Sequence, residues 1–84
     1  GPTAEARFLA AVTSGRFEII DPIDVDYQRA IELIGVYTDL GLGFVDASIV
    51  AIAERLGVTE LATLNRRDFA VVRPAHCDAF ELVP

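Results

Sequence analysis

The 84-residue chain contains no lysine, no methionine and no tryptophan, and only one cysteine and one histidine. Without lysine, all seven basic residues are arginine, which argues against a small signalling fragment pairing a phosphoacceptor aspartate with a downstream lysine. Without methionine, a chain beginning Gly1-Pro2 is expected to be a fragment of a larger domain, with further sequence before residue 1. A lone Cys77 forms no internal disulfide, which fits a reducing compartment, and the expected location is the cytoplasm. No basic n-region precedes an apolar h-region. The longest apolar stretch, residues 44–53, is interrupted by Asp46 and Ser48 and falls short of the ~18 apolar residues of a spanning helix. His76 and Cys77 have no second histidine or cysteine nearby, so a zinc site is not expected. A Cys–His nucleophilic pair is discounted because adjacent residues of an extended loop point apart.

What remains is acidic and apolar. A net charge of −6 argues against a broad basic surface for nucleic acid, and suits a basic protein partner instead. It leaves room for a nucleic-acid enzyme, because a metal ion can supply positive charge where the chemistry occurs. Hydrophobic residues make up 52% of the chain, enough that part of the apolar surface is expected to face another polypeptide. The length allows one small domain.

Periodicity predicts helices over residues 3–14, from Asp24 as N-cap to about Thr38, and from about Val45 to Leu56. In the second, Tyr27, Ala30, Ile31, Ile34 and Tyr37 form an apolar face, and both tyrosines are expected in the core. The third is apolar nearly all round and therefore central, with Gly57 closing it. Gly41 and Gly43 lie in the loop before it, free to take positive φ. Short strands are predicted over residues 17–20, 61–64 and 80–83, and a single helical turn over 66–69. This order describes an α/β layered fold with a mainly parallel sheet.

Strand ends and helix starts are where such sheets gather ligands. Asp46 lies in the first turn of the apolar helix, where unpaired N–H groups and the helix dipole stabilise negative charge. A carboxylate there suits Mg²⁺ or Mn²⁺; it is equally an ordinary helix-start residue. Thr63, Asn65 and Asp68 sit at a strand-to-turn exit. Asn65 can hold a metal-bound water, and Asp68 can ligate a metal or cap the turn. Arg66 and Arg67 beside them have the fork geometry for phosphate oxygens, against the alternative of a solvated turn or a pairing with acidic groups. Asp21, Asp24 and Asp26 lack EF-hand spacing and read as punctuation between a strand and a helix.

Gly43-Phe44-Val45-Asp46-Ala47-Ser48-Ile49, the helix end at Leu56-Gly57, and Leu61-Ala62-Thr63-Leu64-Asn65-Arg66-Arg67-Asp68-Phe69 together resemble the C-terminal half of a PIN domain. The likeness is greatest to the VapC-type toxin ribonucleases of toxin–antitoxin pairs. Gly15 to Ile20 and Asp24 to Tyr37 fit the middle of such a domain, so the resemblance covers nearly all of residues 1–84. It implies a PIN-like three-layer fold and a metal-dependent endoribonuclease binding Mg²⁺ or Mn²⁺. Asp46 and Asp68 then match acidic ligands, Asn65 a position filled by Asp or Asn, and Thr63 the hydroxyl residue lining the site. RNA is the implied substrate, with Arg66 and Arg67 near its phosphates, and a cognate antitoxin the implied partner. The family's acidic residues on its first strand and the following helix have no counterpart here, so the N-terminal strand and helices are expected to be lacking. Residues 1–84 would be the C-terminal portion of a single domain, folding only with its N-terminal half or another strand donor present. Two functions follow: part of an endoribonuclease, or an inactive antitoxin-binding or self-associating (dimeric) module.

Overall fold

The computed structural model describes residues 1–13 and 20–83. Its elements are α1 (Pro2–Thr13), α2 (Asp24–Val36), α3 (Phe44–Leu56), β1 (Glu60–Ala62), α4 (Arg66–Val71) and β2 (Glu81–Val83). The class is α/β, as expected. β1 and β2 pair in parallel, Leu61 opposite Leu82, with α4 in the crossover between them. The strand expected over 17–20 lies outside the described residues except for Ile20, which has no regular structure.

α2 and α3 pack against each other, and α4 packs on β2. Ala30 and Leu33 of α2 meet Ala47, Val50 and Ala53 of α3 in a core completed by Leu42, Phe69, Val72 and Phe80. The small alanines let the two helices approach closely, while Phe69 and Phe80 close the far side edge-to-face at 6.5 Å. Val58 N–H reaches back to the Ala53 carbonyl at 2.8 Å around Gly57, whose φ of 70° is left-handed. That turn ends α3 where expected and sends the chain into β1. Gly43, by contrast, is extended at φ −81°, and Gly41 alone of the loop pair takes a positive φ.

Two expectations about α2 need correction. Asp24 is not the N-cap: Ile23 is, and Asp26 in the first turn accepts the Ile23 N–H at 2.9 Å. An isoleucine side chain has nothing to accept with, so the aspartate supplies the polar half of the cap alone. Asp26 is therefore more than punctuation. It is 1% exposed, and its carboxylate takes Arg55 Nε at 3.0 and 3.1 Å and Arg55 Nη2 at 3.0 Å. Next to it, Arg29 grips Glu54 through Nε at 2.7 Å and Nη2 at 3.0 Å, and Glu54 also accepts the Ala75 N–H. Burial opposes the Glu54 charge, but Arg29 and the Ala75 N–H outweigh it and hold the carboxyl below its usual range.

Tyr27 is the second correction. It is 44% exposed and stacks on Phe44 at 5.7 Å instead of entering the core, and Ile31 beside it is 70% exposed. The α2 core stripe runs through Asp26, Ala30 and Leu33, rotated from the face that apolar spacing alone selects. Tyr37 does pack on the core, and its hydroxyl accepts the Arg73 N–H at 2.8 Å.

The Arg55 guanidinium, against the burial of Asp26, holds that carboxyl below its ordinary 3.8. Its ionisation therefore supports folding fully above the unfolded-state value and progressively less as pH falls through the lowered folded-state one. Arg55→Ala, which strands a buried charge, is expected to cost about 3 kcal/mol at pH 7 in urea unfolding. Asp26→Asn should show a shallower loss of stability below about pH 4 than the parent. Parallel acid limbs in that titration would exclude the role.

Candidate functional site

Asp46, Asn65 and Asp68 come together. Asp46 is the third residue of α3 after the Gly43 N-cap, and Asp68 is the third of α4 after the Asn65 N-cap. Each carboxylate thus sits in the first turn of its own helix, and the two starts converge at the exit of β1. Asn65 Nδ2 donates to Asp46 Oδ2 at 2.9 Å and to Asp68 Oδ2 at 3.0 Å. The two oxygens can be no more than about 6 Å apart, since one nitrogen reaches both. Only the NH₂ side of the amide can serve two ionised carboxylates, so the orientation of Asn65 is fixed by chemistry.

Thr63 meets the group through the backbone. Its Oγ1 accepts the Asn65 N–H at 3.0 Å, a hydroxyl turn that sets the path from β1 into α4. Arg67 Nε donates to Asp68 Oδ1 at 3.0 Å with most of the arginine in solvent. The Asn65 amide first, and Arg67 second, hold the Asp68 carboxyl below its usual range. Arg66, the first residue of α4, is exposed. Of the two arginines, Arg67 thus follows the pairing alternative in this structure.

The donor set is two carboxylate groups, an amide and a hydroxyl, all hard oxygen or capable of turning one inward. Such a set fits Mg²⁺ or Mn²⁺, which keep several waters and take one or two carboxylates from protein. Among the described residues, no cluster of three His, Cys, Asp or Glu forms. Any cation here would draw the rest of its shell from oxygens other than these two carboxylates.

Two features escaped the sequence reading. A groove runs between α1 and residues 62–65, lined by Thr3, Arg7, Leu9, Thr63, Leu64 and Asn65. Arg7 stands on it with no motif to mark it. His76 and Cys77 do not point apart: Cys77 Sγ lies 3.8 Å from His76 Nε2. That nitrogen is 2.6 Å from the Val58 carbonyl, which can only accept, so it carries the proton and cannot act as a base toward the thiol.

No family model matches the chain. Over all 84 residues it is 29% identical to the protein named Ribonuclease VapC26 of Mycobacterium tuberculosis (strain ATCC 25618 / H37Rv), and it spans 62% of that protein's length. Among the described residues, no helix is long and apolar enough to cross a membrane.

The Thr63 hydroxyl makes a local prediction. Thr63→Val keeps the shape but leaves the Asn65 N–H without its acceptor, and should lower stability by about 1 kcal/mol in urea unfolding. An unchanged midpoint would show that the hydroxyl turn does not set the β1–α4 connection.

Proposed function

We propose that residues 1–84 are the C-terminal portion of one PIN-like domain in a VapC-type toxin, a metal-dependent endoribonuclease of a toxin–antitoxin pair. The observation that carries the proposal is the meeting of Asp46 and Asp68, from separate helix starts, on the single Asn65 amide nitrogen. The similarity over residues 1–84 to a protein named as a ribonuclease gives that meeting its chemical direction.

In this reading Asp46 and Asp68 hold Mg²⁺ or Mn²⁺, directly or through water. The bound ion would activate a water and stabilise charge developing on the scissile phosphate of RNA. Thr63 orders the turn that presents Asn65, and Asn65 orients the carboxylates and nearby solvent. Arg66, exposed beside the site, meets a phosphate of the RNA; Arg67 can do so by leaving Asp68.

The three-layer architecture belongs to the same proposal. Ile20, Ile49, Ile52, Leu56, Val58 and Leu61 line an apolar groove where α3 faces β1. A further strand beside β1 would cover that face and extend the two-stranded sheet, supplying the acidic residues not found here. Ile31, Val36 and Val45, each 70% exposed, support an antitoxin or a second copy as partners. The working compartment would be the cytoplasm.

Asp46→Asn in the full-length protein should reduce RNA cleavage by at least about a hundredfold, with the circular dichroism spectrum and melting curve retained. Undiminished cleavage by a folded variant would refute the assignment.

A further inference from the structure

Asparagine at a helix N-cap ordinarily turns its side chain onto its own helix. Asn65 does not: no side-chain capping bond forms on α4. Its own N–H is taken by Thr63, which frees Asp68 from the reciprocal bond that a third-position acid often makes to the N-cap. Both diversions leave the amide nitrogen directed at two carboxylates, 19 residues apart in sequence for one and three for the other. The N–H dipoles of the amide thus fill the place between the two anions that a cation would take.

We propose that Asn65 is a built-in stand-in for the divalent cation. Its Nδ2 clasps the Oδ2 atoms of Asp46 and Asp68 when no metal is bound, and competes with an entering metal for those oxygens. The inference rests on the metal-site reading above and deepens it: Asn65 is a positioning residue whose hydrogen bonds compete with the ion. The clasp keeps two like charges on separate elements together, and it also weakens cation binding, since each bond given up opposes entry.

The test uses the full-length protein and Mn²⁺ alone, followed by isothermal titration calorimetry, with melting temperatures in EDTA as a second reading. Asn65→Ala removes the clasp, and Asn65→Ser removes it while leaving a residue suited to cap α4, should alanine not fold. Either variant should melt lower than the parent in EDTA and bind Mn²⁺ roughly three- to tenfold more tightly, the scale of one net hydrogen bond released. Parent and variant binding equally, or the variant more weakly, overturns the stand-in while leaving the metal site in place. Binding by neither the parent nor the variants overturns both readings together.

Discussion

The fold depends on a pair of reversed charges between α2 and α3. Going along α2 the chain offers Asp26 and then Arg29; along α3 it offers Glu54 and then Arg55. The antiparallel pairing joins Asp26 to Arg55 and Arg29 to Glu54, so acid meets base twice with opposite sense. Sliding or turning either helix would part each acid from its base and leave the Asp26 carboxylate buried without its partner. Apolar packing through Ala30, Ala47, Val50 and Ala53 is non-directional, whereas each ion pair joins one acid to one base. This follows the best-attested use of buried ion pairs, which is to specify register more than to add stability.

Register at that end of α3 matters at the other. Asp46 precedes Glu54 by a little over two helical turns, about 12 Å along the axis. A helix whose far end is fixed by Glu54 and Arg55 delivers the Asp46 carboxylate at a defined rotation. Glu54 extends the constraint further, because it also takes the Ala75 N–H and so ties the loop leading to β2. The helix pair, the sheet and the site are therefore set by neighbouring residues on one helix.

Much of this was legible in the sequence, and the reasons it was not elsewhere are physical. The α3 span, its stop at Gly57 and the placing of Asp46, Asn65 and Asp68 at element ends follow from local signals: an apolar run, a left-handed glycine, a turn composition. α4 runs on to Val71, past the single turn expected over residues 66–69, because Phe69 and Val72 find a core that the local sequence does not announce. Tyr27 and Ile31 have the spacing of a buried stripe, yet Asp26 lies inside and they lie outside, since a carboxylate with an arginine partner can be buried where periodicity forbids it. That partner is 29 residues away. The Asn65 clasp is hidden for the same reason: the type of residue was readable, but the direction of its amide depends on a distant carboxylate.

The division of the site between two units has a kinetic meaning. Asp46 belongs to the α2–α3 hairpin, whose contacts are local and short in loop length. Thr63, Asn65 and Asp68 belong to the β1–α4–β2 unit, whose strands contribute three paired residues each. Units of this kind can open separately from the whole molecule, the smaller at lower cost. Opening of β1–α4–β2 would pull Asn65 and Asp68 away from Asp46, and would uncover the part of the core that Phe69, Val72 and Phe80 close. The assembled site can then be lost through local opening of the small sheet as well as through global unfolding. Amide protons of α4 would report that opening through their exchange with solvent.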